Sequence, residues 1–321
     1  MRRADRVAVG MATYRRPHAL ARLVEEILDQ IDDFCRQGEI VPSFTVIVVD
    51  NDEAGSGRGA ATASGDRRVR YVVEPRPGIS AARNRILDEA GDCDVLVLID
   101  DDELPQAGWL AHLLDAYVRF DADAVSGPVR AVFRGGSDPW IEASGAYRDS
   151  ERHARATGMV IGRAATNNLL LDMRTVRRLE LRFDDDMGLT GGEDSLFTGQ
   201  LTRAGGRIVW CAEALVDDQV PTERNTRDYS LRRRFATSAT HVRVEQRLLD
   251  PGPQRLLGLA RWLAIGAGQI VKGTGLALWG RLVGMLGVRA RGERKMASGL
   301  GVLAGCLGRV PSPYARRQES P

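Results

Sequence analysis

Asp100, Asp101 and Asp102 stand directly behind Leu96, Val97, Leu98 and Ile99, so an apolar run ends in three consecutive carboxylates, with Glu103 next. Like charges this close repel and raise one another's pKa unless a cation neutralises them. Mg2+ and Mn2+ suit the task, because they prefer carboxylate and water oxygens, take only one or two protein carboxylates and leave positions for phosphate oxygens. The same aspartates also suit a helix cap, with Pro105 in a first turn, and that alternative stays open on the triplet alone. A second acidic pair, Glu193 and Asp194, follows Gly191 and Gly192, which permit a close backbone approach to a ligand. Leu196, Phe197 and Leu201 then mark the apolar face of a helix whose first turn bears the acids, and capping is again an open alternative.

Such groups need a frame. Four runs rich in β-branched residues, Val7 to Ala12, Thr45 to Asp50, Val69 to Glu74 and Val95 to Asp100, are nearly continuous in apolar character, as strands buried on both faces require. Leu20, Leu23, Val24, Ile27, Leu28 and Ile31 repeat with helical spacing between the first two, with Pro17 in the first turn. Further helices are expected from Ile79 to Ala90 and from Trp109 to Phe120. Strands alternating with helices predict an α/β, doubly wound sheet, whose ligand crevice lies beyond the carboxyl ends of its strands. Thr13, Tyr14 and Arg16, then Asp50, Asn51 and Asp52, then Asp100 to Glu103 all fall at such ends.

The chain of 321 residues has room for one large domain with an appendage, and its 43% hydrophobic and 27% charged residues are ordinary for a folded protein. Charge is uneven: residues 251–321 hold 11 Lys or Arg against 2 Asp or Glu, whereas 1–250 hold 34 against 41. The four cysteines are far apart, which suggests neither a zinc site nor a disulfide framework. The N-terminal stretch has no secretory h-region, and a cytoplasmic protein is expected.

The segments VAVGMATYRRPHALARLV, VIVVDNDEAGS, EPRPGISAARNRILDEA, VLVLIDDDELP, ATNNLLLDM and GLTGGEDSLFTGQLTRAGG occur in one order over roughly residues 5–240. In that order the sequence resembles the family-2 glycosyltransferases, and within them the bacterial enzymes of exopolysaccharide synthesis, such as succinoglycan glucosyltransferases. The resemblance implies a GT-A fold and the transfer of a hexose, with inversion, from a nucleoside diphosphate sugar, a UDP-sugar in the first instance, to a hydroxyl of a glycan or lipid-linked acceptor. It implies that Thr13, Tyr14, Arg16, Asp50 and Asp52 hold the nucleoside, with Asn51 standing where many relatives carry a second acid. Arg83 approaches the base or diphosphate, Asp100 and Asp101 line the donor site, and Asp102 with Asp100 serves the metal, Mg2+ or Mn2+. Asp194 is the general base and Glu193 orients the acceptor. Asn168 is a candidate for the acceptor pocket, and Arg232, Arg233 and Arg234 for closure on the diphosphate or for a solvated basic face. Some relatives carry a histidine near Asp218; His241 reads as a partly buried structural residue.

Residues 254–288 are hydrophobic on most sides but broken by Arg261, Lys272 and Arg281. Apolar stretches of about ten residues fall short of the roughly 20 needed to span a bilayer. The expected division is a glycosyltransferase domain over 1–245, an amphipathic helical region over 246–310 and a disordered tail over 311–321. Leucines and tryptophans interleaved with basic residues, including Arg289 to Lys295 and Arg316 to Arg317, suit a peripheral seat on the inner face of the cell membrane; a lid or a dimer interface is the alternative. Glycines 258, 266, 268, 273 and 275 are expected to loosen any long helix there. A nucleotidyltransferase lacks support, since GMATYRRPHAL is no glycine-rich phosphate loop, and a binding module without turnover remains a competing reading. Nothing in the basic tail has a nucleic-acid recognition pattern.

Overall fold

A computed structural model describes residues 3–37, 41–147, 155–250 and 252–311, so the expected tail falls, beyond residue 311, outside the described residues, with Arg316 and Arg317. β1 (Arg6–Thr13), β2 (Ser43–Asp50), β3 (Val69–Val73) and β4 (Val95–Ile99) form where the β-branched runs predict them. Successive side chains leave a strand on opposite faces. Val7, Val9 and Met11 therefore pack with Leu20, Leu23 and Ile27 of α1 (Pro17–Gln37), while Ala8 joins Ile47 and Val49 on the other face. α2 (Arg58–Thr62) is a single short turn, and α3 (Ile79–Glu89) supplies Ile86 and Leu87 to that second face. Trp109 and Leu113 of α4 (Trp109–Arg119) return to the first.

β5 (Glu103–Pro105), β6 (Ala124–Ser126), β7 (Val129–Phe133), β8 (Val160–Ile161), β9 (Asn168–Asp172), β10 (Ile208–Trp210) and β11 (Val216–Val220) complete the strands. The main sheet runs β3-β2-β1-β4-β9-β6-β10-β8 and a small one runs β5-β11-β7. The doubly wound expectation holds for β3-β2-β1-β4, which is parallel throughout. It is incomplete beyond β4, because β9 enters antiparallel between β4 and β6. The register sets Thr13 opposite Asp50, so two polar strand ends emerge side by side.

The chain divides into two compact units, the first of residues 1–130, 150–188 and 193–218, the second of 131–149, 189–192 and 219–321. The first contains the main sheet, α6 (Met173–Arg178) and α7 (Glu193–Arg203). The second gathers α5 (Pro139–Ser144), α8 (Arg227–Leu248), α9 (Pro253–Leu282) and α10 (Leu286–Cys306). Residues 131–149 therefore group with the C-terminal helices. Buried Glu293 of α10 shows why: it accepts from Trp140 Nε1 of α5 at 2.9 Å, from Arg227 Nε of α8 at 2.8 Å and from Arg289 Nε at 2.8 Å. Burial alone would raise this carboxyl's pKa, but those three donors hold it below the ordinary value.

The glycines of α9 do not loosen it. Gly266, Gly273 and Gly280 recur every seven residues, as do Gly292 and Gly299 of α10, and the two helices meet along these positions. A Cβ on Gly273 would stand 2.5 Å from Met296 N, and one on Gly292 2.4 Å from Ala277 N. α10 approaches α8 in the same way, since a Cβ on Gly301 would lie 2.2 Å from Phe235 O. Low propensity is outweighed here by backbone contact that only glycine permits.

Two substitutions in α9 separate these effects. Gly273→Ala must push α10 away and is expected to lose about 1–3 kcal/mol of stability. Gly268 has open space around it, so Gly268→Ala is expected to gain up to about 1 kcal/mol from helix propensity. Urea unfolding of both variants checks the opposite signs, and equal effects would refute the glycine seam.

Candidate active site

The polar ends of β1, β2 and β4 are joined by side-chain bonds. Thr13 Oγ1 donates to Asp101 Oδ2 at 2.7 Å. Arg16 Nη1 donates to Asp101 Oδ1 at 2.8 Å and to Asp102 Oδ2 at 2.9 Å, so the loop after β1 clasps the acidic turn after β4. Tyr14 is 36% exposed and the Arg15 guanidinium lies over its ring. Asp101 is buried, and that burial raises its pKa to about 6 although Arg16 and Thr13 oppose the shift.

Asp50 is fully buried and its carboxylate accepts from Asp52 N at 3.0 Å, Gly57 N at 2.6 Å and Tyr71 Oη at 2.8 Å. This differs from an expected direct grip on a nucleoside: a carboxylate enclosed by three donors shapes the loop over residues 51–57 instead. Gly57 is required there, since a Cβ would stand 3.0 Å from Asp50 Oδ2 and 3.1 Å from Leu20 Cδ2. Asn51 explains its own departure from the acid of many relatives. Its amide donates to the Glu74 and Arg76 carbonyls at 2.8 and 2.7 Å while its oxygen accepts from Gly78 N at 3.0 Å, a set that an ionised carboxylate cannot satisfy. Asp52 is buried beside Arg15, 3.4 Å away; burial would raise its pKa, but hydrogen bonds from Ser56 and Ala54 together with Arg15 lower it.

Gly78, at φ 116°, precedes α3 and lets the chain turn so that Arg83 points at the acids. Arg83 is buried; Nη2 donates to Asp100 Oδ1 at 3.1 Å and Nη1 pairs with Glu193 Oε1. The two acidic motifs of the sequence, 93 positions apart between Asp100 and Glu193, thus meet at one guanidinium. Glu193 is 4% exposed, and its Oε2 has no hydrogen-bond partner among the described residues. Contrary to the expectation that it orients an acceptor, it lies behind Arg83. Burial raises its pKa to about 7 against the pull of Arg83, with Asp194 and Asp100 adding repulsion. Asp194, in the first turn of α7, is half-buried and accepts from Ser195 N at 2.5 Å. Asp100 is likewise raised, by burial first, with Asp102 and Asp194 adding repulsion against the pull of Arg83.

Glu103, next to the triplet, is buried, accepts from Asn167 Nδ2 at 2.6 Å and from Asp100 N at 3.2 Å, and has its pKa pushed well up by burial and then by Asp100. Tyr71 was missed; its place on β3, beside β2, was the available signal. Asn168 lies away from any open surface, 1% exposed, donating to Pro128 O and Ala214 O and accepting from Trp109 Nε1. Arg232, Arg233 and Arg234 are exposed residues of α8 in the second unit, with Arg233 over the Tyr147 ring. His241, expected to be partly buried, is exposed and makes an edge contact with Trp262.

This crevice gathers more carboxylates than guanidiniums, an arrangement that attracts a cation and holds groups able to take a proton. The family model for Glycosyl transferase family 2 matches residues 8–169. The succinoglycan biosynthesis protein ExoM of Rhizobium meliloti (strain 1021) is 32% identical over 246 residues, covering 74% of each chain. Among solved structures, the mannosyltransferase PcManGT from Pyrobaculum calidifontis, in complex with GDP-Man and Mn2+, superposes with a TM-score of 0.58 at 20% identity over 94% of this chain and 88% of that one. S. aureus TarS 1–349 in complex with UDP-GlcNAc gives 0.51 at 13% identity over 90% of both chains. GalNAc-T7 with UDP, GalNAc and Mn2+ gives 0.54 at 14% identity over 75% of this chain, which spans 47% of that protein. With its GT-A fold and its matched motifs, the chain belongs to glycosyl transferase family 2 and is a glycosyltransferase.

Proposed function

We propose that the chain moves a hexose from a nucleoside diphosphate sugar, UDP being the first candidate, onto a hydroxyl of a glycan or lipid-linked acceptor in exopolysaccharide synthesis, with inversion at the anomeric carbon. The observation that carries this reading is the meeting of Asp100 and Glu193 at Arg83, which unites the two acidic motifs in one crevice. The succinoglycan biosynthesis relative supports the process, and the nucleotide sugars of the structural neighbours support the donor class.

The residues present fit a divalent ion. Asp100, Asp101, Asp102, Glu103, Glu193 and Asp194 face only two guanidiniums from Arg16 and Arg83 among the described pairings. Asp100 and Asp102 stand in one turn and offer two carboxylates to a metal that keeps phosphate and water ligands; among the described residues no three His, Cys, Asp or Glu side chains converge as a cage. Asp102 and Asp100 would hold Mg2+ or Mn2+, which when bound supplies positive charge beside the departing diphosphate. Thr13, Tyr14, Arg16 and Asp52 bind the nucleoside end, with Asp50 and Asp101 fixing their loops. Arg83 steadies the diphosphate, and Glu193 positions Arg83. Asp194 takes the proton from the acceptor hydroxyl as its oxygen bonds to the anomeric carbon and the bond to phosphate breaks. The same reading seats the enzyme peripherally on the inner face of the cell membrane, where a lipid-linked acceptor resides; among the described residues no helix is long and apolar enough to cross a bilayer.

Thermal unfolding with UDP and GDP, with and without Mn2+, tests the donor site. A nucleotide at 100 times its dissociation constant stabilises by about 2.7 kcal/mol. Stabilisation is expected only with metal, to vanish in Asp102→Asn and to persist in Asp194→Asn, whose transfer rate falls by on the order of 10²–10⁴. Failure of every nucleotide under every metal condition would sink the reading.

Acid titration of the metal-free protein gives an independent check. Carboxyls raised in the folded state bind more protons there than when unfolded, so stability falls as pH rises from about 4 towards the values of about 6 and about 7 for Asp101 and Glu193. Below that window their contribution is restored. Mn2+ is expected to stabilise most at the high end, where it meets ionised carboxylates; a metal effect that shrinks as pH rises would contradict the cation site.

A further inference from the structure

The second unit carries an unusual helix. Leu256, Ala260, Leu263, Ala267, Val271, Leu278 and Leu282 follow one another at helical spacings along α9, and all are exposed, Val271 and Leu282 to 74% and 78%. At about 1.5 Å per residue the stripe is roughly 39 Å long. The opposite face is the glycine seam against α10. Large apolar residues therefore point outward and the small ones inward, the reverse of a helix buried by water, and the order found where helices pack in lipid. Arg261, Lys272 and Trp279 flank the stripe, and no Asp or Glu occurs between Asp250 and Glu293. A rim of cations and an indole beside an apolar face that is interrupted at Thr274 and Gly275 fits an anionic membrane surface.

At its N-terminal end the stripe runs into a cavity of about 700 Å³ lined by Arg243, Gln246, Arg255, Leu256, Leu259 and Val310, among others, with no Asp or Glu in its lining among the described residues. Arg255 Nε donates to Gln246 Oε1 at 3.1 Å, which turns the amide so that Gln246 Nε2 is a buried donor with no partner among the described residues. Two guanidiniums and a spare amide donor call for an anion with several acceptor oxygens, and the leucines beside them call for an apolar chain. Leu256 belongs to both features.

We propose that α9 lies flat on an anionic bilayer through this stripe and that the cavity at its end takes the phosphomonoester headgroup of a lipid. The proposal rests on the membrane placement given above and adds the face and the ligand. Full-length protein is sedimented with phosphatidylcholine vesicles doped to equal charge with phosphatidic acid or phosphatidylglycerol. Binding is expected to both, at least about fivefold tighter to phosphatidic acid, the order of one cation's contribution at a charged surface. Leu278→Asp with Leu282→Asp, at exposed positions that leave the fold intact, is expected to abolish sedimentation with either lipid. Arg243→Gln with Arg255→Gln is expected to retain sedimentation and lose the preference. Wild-type-like sedimentation of the leucine variant overturns the proposal. So does a dimer that dissociates in that variant without any vesicle binding, which would assign the stripe to a second copy. Stabilisation by inorganic phosphate alone, with no lipid preference, would assign the cavity to a free anion and also overturn it. UDP and Mn2+ stabilisation measured on the same samples reports separately on the donor site, so a failure there is not confused with a failure here.

Discussion

Ionised carboxylates gathered in a partly dry crevice repel one another, and each added one raises the free energy of the rest until a counter-charge enters. Here the acids arrive from two directions, the turn after β4 and the start of α7, and the only neutralising side chains among the described pairings are Arg16 and Arg83. Each guanidinium is shared by two carboxylates, so neither arginine can move without stranding charge. The loop after β1 and the start of α3 are consequently locked to the acidic turn, and the geometry of the crevice follows from this shortage of positive charge. A cation, or a ligand that brings one, would relieve the same constraint.

The loops after β2 and β3 are ordered by a different set of bonds. Asp50 uses its carboxylate to bind backbone and the Tyr71 hydroxyl, and Asn51 ties the β2 loop to the carbonyls after β3 and to the amide before α3. Both side chains spend their polar atoms on neighbouring loops, so they define a surface that others present. Replacing the Asn51 amide by an ionised acid would leave two carbonyls without a donor.

Much of this was legible in the residues. Near-continuous β-branched runs located β1 to β4 and three-four apolar spacing located α1, α3 and α4, because the strands are buried on both faces and the helices on one. No strand is expected at Asn168–Asp172 from the sequence, and five consecutive buried residues look alike in parallel and antiparallel strands. The types at the acidic turn and at Glu193 announced the crevice, but which carboxyl is enclosed depends on contacts such as Arg83 to Glu193 at a separation of 110 residues. Trp140 with Glu293, 153 residues apart, likewise gives no local signal that residues 131–149 join the C-terminal helices.

The glycines of α9 carried a signal that propensity hid. Counted singly, each weakens a helix; taken at a spacing of seven, Gly266, Gly273 and Gly280 trace one line down it. Once that line is given to α10, where Ile270 packs against Gly299, leucines such as Leu263, Leu278 and Leu282 are left on the outer face. The exposed apolar stripe is thus not an independent feature of the sequence but the geometric complement of the seam. A hairpin closed by leucines would have presented polar residues outward, so the seam and the stripe stand or fall together as one choice of what the outer face is to meet.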